Sequence, residues 1–119
     1  MIDEETRVNF GDGTAQREEV RGKGRPDLIS PFAILRLGKW SEDGAIKYGD
    51  RNWEKGMPFS RYTQSLCRHL EKWKANEQSE DHLSAIMWNA MAIIHHQELG
   101  ELEWDDMPKY KPKGVDLDK

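Results

Sequence analysis

The sequence lacks several features that would assign a chain to a secreted or membrane-bound class. It has a single cysteine, Cys67, so no internal disulfide can form, which is typical of a reducing compartment. No apolar run approaches the ~18 residues of a membrane-spanning helix, and the acidic N-terminus has no hydrophobic region typical of a secretory signal. We therefore expect a cytoplasmic protein (in the host cytoplasm if phage-encoded) with no membrane partner.

The chain also lacks a positive field and the common nucleotide and metal signatures. Its net charge is −4, so no basic surface favours duplex nucleic acid. The patterns G-x-x-x-x-G-K-[ST], G-x-G-x-x-G, H-E-x-x-H and C-x-x-C do not occur. What it does have is 119 residues, enough for one domain, and five tryptophans. The tryptophans indicate an aromatic core, a base-stacking surface, or both.

Apolar spacing predicts an all-α fold, a compact helical bundle of three to four main helices. Residues 1–29 are interrupted by glycines and form an extended arm, residues 30–103 form the helical domain, and residues 104–119 form a surface tail. Ser30 and Pro31 are typical of a helix start. The first helix has its apolar face at Ile34, Leu37, Ser41, Ala45 and Tyr48, and the second at Phe59, Tyr62, Leu66, Leu70 and Trp73.

A third helix follows Ser79, which is a good N-cap. Glu80 and Asp81 then fall in its first turn, where the helix dipole favours acids by ~0.3–1 kcal/mol each. This helix is apolar over most of its circumference and should be central. One face carries His82, Ile86, Asn89, Ile93 and His96, and its buried polar groups must be hydrogen-bonded or serve a site.

The stretch Glu77–Asn89 has two interpretations. It places three acids and a histidine within six residues, which suits a metal or phosphate site and equally suits a well-capped helix. His82 lies near a helix N-terminus, which favours its neutral form, the form that binds metal or acts as a base. His69 borders the apolar face of the second helix, where a lone histidine is more often a core residue than a ligand.

The loop at residues 47–58 also has two interpretations. It reads K-Y-G-D-R-N-W-E-K-G-M-P, and its basic and aromatic side chains include Lys47, Arg51, Asn52 and Trp53. Such a loop can hold a nucleotide, with cations on the phosphates and a ring on the base. Equally, it can be an ordered loop whose Trp53 plugs the core.

Four pieces of the chain together resemble a known family. They are G-R-P-D-L-I-S-P, G-A-I-K-Y-G-D-R-N-W-E-K-G, R-H-L-E-K-W and E-D-H-L-S-A-I-M-W-N-A-M-A-I-I-H-H, within about residues 22–98. They resemble the phage and bacterial family named after the N-terminal domain of dATP/dGTP diphosphohydrolase. That family looks related to the all-α MazG-like pyrophosphohydrolases, which are usually oligomeric and use Mg²⁺ or Mn²⁺ to cleave between the α- and β-phosphates. The pattern of those enzymes, E-E-x-x-E followed by E-x-x-D, does not occur here.

The resemblance implies a homo-oligomeric pyrophosphohydrolase that converts a purine deoxynucleoside triphosphate to its monophosphate and pyrophosphate. In that hypothesis Glu80, Asp81 and Glu77 hold Mg²⁺ or Mn²⁺, with Glu42 or a histidine as further candidates. The catalytic residues are His82, His69 and Glu80. The substrate-binding residues are Lys47, Arg51, Asn52, Trp53, Arg68 and Asn89.

Two other functions stay open from the sequence. One is a phage module that binds or sequesters a nucleotide without hydrolysing it and needs no metal. The other is a structural or regulatory protein in which Glu77–Asn89 is only a helix cap and a buried polar network.

Overall fold

A computed structural model of the chain describes residues 7–8, 13–18 and 21–114. Those parts of the expected arm and tail that fall on other residues lie outside the described region. Backbone contacts divide the chain into two units, residues 1–30 and 31–119. In the first unit, strands β1 (Arg7–Val8) and β2 (Arg17–Glu18) pair antiparallel, with Val8 opposite Arg17. Pro26–Leu28 form a short 3-10 turn.

Within the described residues, the second unit contains three α-helices. They are α1 (Pro31–Tyr48), α2 (Phe59–Lys74) and α3 (His82–Glu98). Short 3-10 segments follow α1 at Asn52–Lys55 and α3 at Leu102–Trp104. The all-α prediction is confirmed, and α3 is the central helix, because it packs against both α1 and α2. None of the described helices is long and apolar enough to cross a membrane.

The core lies between α2 and α3. Phe59 and Tyr62 of α2 are buried against Ala92 of α3. Partly buried side chains pack around them, namely Trp53, Trp88, Ile93, Trp104 and Met107. Because Ala85 and Ala92 are small and fully buried, α3 can lie close to its neighbours. At the far end of α2 the expected apolar face opens to solvent, and Leu70 and Trp73 are exposed.

Helix α1 is less buried than its apolar pattern suggests. Leu37, Ser41 and Ala45 are half-buried, as expected of an inward face, but Ile34 and Tyr48 are exposed. No residue of α1 is fully buried. The reason is that α1 packs mainly against α3, so only one side of the helix is covered.

The segment after α3 is anchored on the helical unit. Trp104 packs against Gly56, whose φ of +90° requires glycine, and a Cβ there would lie 2.3 Å from Trp104 Nε1. The carboxylate of Asp106 accepts hydrogen bonds from the Ser60 backbone N (2.8 Å) and Oγ (2.5 Å). It therefore satisfies one of the free amides in the first turn of α2. Tyr110, further along, is exposed.

Candidate functional site

Helix α3 is capped by Asp81 rather than by Ser79. Asp81 Oδ1 accepts a hydrogen bond from Ser84 N at 3.2 Å, and its Oδ2 accepts one from Ser84 Oγ at 2.6 Å. Ser79 instead donates its backbone N–H to Glu77 Oε1 at 2.7 Å. The expected Ser79 cap is therefore wrong, because the Asp81 carboxylate, two residues later, reaches the third amide of the helix.

Asp81 also joins α1 to the start of α3. The guanidinium of Arg36 donates to both carboxylate oxygens, from Nε at 3.0 Å and from a terminal nitrogen at 2.5 Å. This contact, followed by the hydrogen bonds from Ser84, holds the pKa of Asp81 well below its usual range. Both oxygens of the predicted metal ligand Asp81 are thus engaged by protein donors.

Two histidines face each other where α2 meets the first turn of α3. The Nδ1 atoms of His69 and His82 lie 2.8 Å apart. His82 is buried, while His69 is half-buried and meets the edge of the Trp40 ring at a centroid distance of 5.6 Å. Burial lowers the pKa of His69, so its neutral form is favoured at neutral pH.

Glu77 orients His82 through Nε2, the ring nitrogen that faces away from His69. Its Oε2 makes a short contact with Nε2 of His82, while its Oε1 accepts from Ser79. Hydrogen bonding from Ser79, followed by that from His82, lowers the pKa of Glu77 to about 2. An ionised carboxylate can only accept, so His82 must carry a proton on Nε2, which leaves the Nδ1 lone pair facing His69 in the neutral ring. A carboxylate behind a histidine in this way is typical of metal-binding imidazoles.

Glu80 completes a group of three candidate ligands. One atom each from His69, Glu80 and His82 lies within 4.8 Å of the others, and the group is open to solvent on the Glu80 side. The structure therefore brings together all three residues predicted to be catalytic. Glu77 and Asp81, predicted as metal ligands, lie outside this group. Two imidazoles and a carboxylate suit a first-row transition-metal ion better than Mg²⁺, which prefers oxygen ligands alone, so of the two expected ions they fit Mn²⁺ better.

A large open cleft adjoins this group. Its volume is about 1110 Å³, and its walls are the second half of α1, the loop that follows, Ser79–Asp81 and Trp88. A smaller cavity of about 520 Å³ is lined by Glu77 and His82. Glu80 lines both cavities, so it lies where the histidine pair and the cleft meet.

Four predicted substrate-binding residues line the large cleft, namely Lys47, Arg51, Asn52 and Trp53. Lys47 is exposed in the last turn of α1, and Arg51 donates to Glu54 Oε1 at 2.8 Å from a left-handed backbone position. Trp53 is half-buried and packs against the core, with its ring centroid 4.7 Å from that of His95. Trp53 therefore both fills the core and forms part of the cleft wall.

The other two predicted substrate-binding residues line neither of these cavities. Asn89 is buried, and its Nδ2 donates to Ala85 O at 2.8 Å and to Ser65 Oγ at 3.3 Å. Its amide group thus joins α2 and α3 from the inside. Arg68 is exposed on α2 beside His69.

Sequence reasoning missed two residues of this site, Arg36 and Trp40. Trp40 lies three residues after Leu37, so helical spacing could have placed it on the inward face of α1. No local pattern could have identified Arg36, because its partner Asp81 is 45 residues away in the chain.

Comparison with known proteins identifies the family. The family model for dATP/dGTP diphosphohydrolase, N-terminal, matches residues 13–106, which includes every residue of the histidine cluster and the cleft. No curated protein and no solved structure matches the chain. On the extent of the family match, the chain belongs to the dATP/dGTP diphosphohydrolase N-terminal domain family.

Proposed function

We propose that this protein is a metal-dependent pyrophosphohydrolase of purine deoxynucleoside triphosphates such as dATP and dGTP. The products are the deoxynucleoside monophosphate and pyrophosphate. The family name supports a nucleotide substrate. The observation that carries the proposal is the convergence of His69, His82 and Glu80 beside a cleft lined by cationic and aromatic side chains.

The donor set fits a divalent transition-metal ion, and of the two ions expected from the resemblance it fits Mn²⁺ better than Mg²⁺. Nδ1 of His69, Nδ1 of His82 and an oxygen of Glu80 would hold it. In the hydrogen-bonded pair, His69 donates Nδ1–H to His82, so His69 must carry its proton on Nε2 instead when both atoms serve as ligands. When bound, such an ion neutralises phosphate charge and lowers the pKa of a coordinated water.

The protein's own groups prepare this site. Glu77 keeps a proton on Nε2 of His82 and fixes the orientation of the ring. The Arg36–Asp81 contact holds the residue directly after Glu80. These contacts restrict the movement of the residues that carry the three ligand atoms.

The loop after α1 supplies the nucleotide contacts. Lys47 and Arg51 are exposed cations on the cleft, where they compensate the charge of a triphosphate. Asn52 offers a donor and an acceptor to the edge of a base. Trp53 serves as a wall for the base, since its ring is partly held by the core.

The test is pyrophosphate release from dATP and dGTP with Mn²⁺ and with Mg²⁺. Glu77 acts through His82, so Glu77→Gln should lower the rate ~10–100-fold. Glu80→Gln preserves the size of an exposed side chain and should lower the rate by more than that, because it removes a metal ligand itself. Glu98→Gln, an exposed glutamate at the end of α3, is the matched control and should retain full activity. Absence of release with either nucleotide and both metals, or undiminished release from Glu80→Gln, would contradict the proposal.

One observation favours a second candidate, a nucleotide-binding module without turnover. Hydrogen bonds link Glu77 to His82 and His82 to His69, so these side chains have partners even without a metal ion. Calorimetry with dATP distinguishes the two candidates. Equal affinity in EDTA and in Mn²⁺, with no pyrophosphate formed, supports the binding module, whereas turnover that requires Mn²⁺ excludes it.

A further inference from the structure

Helix α1 carries a second apolar face that points away from the core. Phe32, Leu35 and Ile46 are 77%, 68% and 76% exposed. Their spacing places them on one side of the helix, and Lys39 and Glu42 lie on the same side, between them. We call these five residues the outer stripe.

The outer stripe lies opposite the covered side of α1. The half-buried residues of the helix share the other face, and they are Ala33, Leu37, Trp40, Ser41, Gly44 and Ala45. At 100° per residue, the centres of these two faces are about half a turn apart. Helix α1 is thus apolar on both sides, and only one side is covered by α3.

The order of residues in the outer stripe is self-complementary. In an antiparallel pair of identical helices related by a two-fold axis, each contact occurs twice. The midpoint of positions 39 and 42 lies between residues 40 and 41, and positions 35 and 46 have the same midpoint. An axis through that midpoint therefore places Lys39 opposite the partner's Glu42 and Leu35 opposite the partner's Ile46.

We propose that the outer stripe is the interface of a two-fold symmetric dimer in which the α1 helices of two copies pack antiparallel. Two opposite-charge pairs lie at its centre and apolar side chains lie on either side. A partner of a single charge would satisfy only one of Lys39 and Glu42, whereas a second copy satisfies both. Lys39 and Glu42 also line the large cleft, so the second copy would lie at its edge. The proposal does not depend on the nucleotide chemistry.

Charge reversal tests the register. By sedimentation velocity, the full chain should be a dimer, and Lys39→Glu or Glu42→Lys alone should raise the dimer dissociation constant by at least about tenfold, because each places like charges opposite one another twice. Mixing the two variants should restore the dimer as a heterodimer, and the double variant should restore it as a homodimer. Lys72→Glu, an exposed lysine on α2, is the matched control and should leave the constant unchanged.

Disulfide trapping tests the same register without charges. In a Cys67→Ser background, a mixture of Leu35→Cys and Ile46→Cys proteins should form a cross-linked heterodimer. Neither protein should cross-link with itself, because identical positions in the two helices would be about 16 Å apart along the axis.

Three results would overturn the proposal. The first is a full chain that is monomeric at all concentrations up to about 100 μM, because a dimer with a dissociation constant of ~1 μM would be mostly formed at that concentration. The second is a dimer that both charge reversals leave unchanged. The third is a monomer in which the cysteines at positions 35 and 46 resist alkylation, which would mean that another part of the same chain covers the outer stripe.

Discussion

Replacing Asp81 separates its role as a helix cap from a role as a metal ligand. Asp81→Ala removes the acceptor for Ser84 N and the partner of Arg36. Asp81→Asn keeps one acceptor oxygen for Ser84 N, but it removes the charge and replaces the second accepting oxygen with an NH₂ donor. The difference in unfolding free energy between the two variants therefore measures mainly the contribution of the helix cap. Loss of such a cap costs ~1 kcal/mol of unfolding free energy, within a range of about 0.5–2 kcal/mol. In a domain of this size, that corresponds to a fall in melting temperature of about 4 °C.

The pH dependence of the charge contribution has a definite sign. Arg36 holds the pKa of Asp81 below its usual range in the folded protein, while the unfolded chain has the ordinary value near ~3.9. The unfolded state therefore binds more protons in acid, so this contribution is fully present above about pH 5 and is lost as the pH falls below about 4. The stability difference between the wild type and Asp81→Asn should be largest at neutral pH and shrink in acid.

Urea unfolding followed by circular dichroism, in EDTA, measures both variants against the wild type. Equal stability of Asp81→Ala and Asp81→Asn would refute the cap. Calorimetric titration with Mn²⁺ then tests whether Asp81 is a metal ligand. Asp81→Asn should keep its affinity for Mn²⁺ within a few-fold, since Asp81 lies outside the ligand group. Loss of Mn²⁺ binding in an Asp81→Asn protein that is still folded would show that Asp81 is a ligand.

Three further substitutions test the packing. Tyr62→Phe should leave the unfolding free energy in urea unchanged or raise it by up to ~1 kcal/mol, because the buried hydroxyl has no hydrogen-bond partner among the described residues; a loss of more than ~1 kcal/mol would be contrary to this. Gly56→Ala should lower it by ~2 kcal/mol or more, because the new Cβ would meet Trp104 at a positive φ; an unchanged melting curve would disprove that packing. Hydrogen bonds from Ser60 hold the pKa of Asp106 below its ordinary value. The wild type should therefore lose stability more steeply than Asp106→Asn as the pH falls below about 4. If the stability of the two proteins falls in parallel in acid, Asp106 makes no such contribution.

Helical periodicity was sufficient to predict the fold class. Regular apolar spacing identified α1, α2 and α3, and the nearly continuous apolar surface of α3 indicated its central position. The start of α3 was wrong by two residues because Ser79 and Asp81 are both good caps. The choice between them depends on Arg36 and Glu77, whose contacts with these residues the local pattern does not determine.

The candidate site was only partly accessible from the sequence. Residue chemistry singled out His69, Glu80 and His82, but spacing alone could not show that the two rings meet from different helices. The metal role expected for Glu77 could not be distinguished from a contact behind His82, since both require the same carboxylate close to the helix start. Asn89 was assigned to substrate because a buried amide needs partners, and the structure supplies those partners from the protein itself.

The anomalous scattering of Mn²⁺ in crystals of the protein grown with the ion would identify the metal ligands directly. We expect one dominant anomalous peak, bonded to Nδ1 of His69, Nδ1 of His82 and a carboxylate oxygen of Glu80, and its loss in Glu80→Gln crystals. A dominant peak on Glu77 or Asp81 instead, or a histidine pair still in direct hydrogen-bond contact at saturating Mn²⁺, would contradict it.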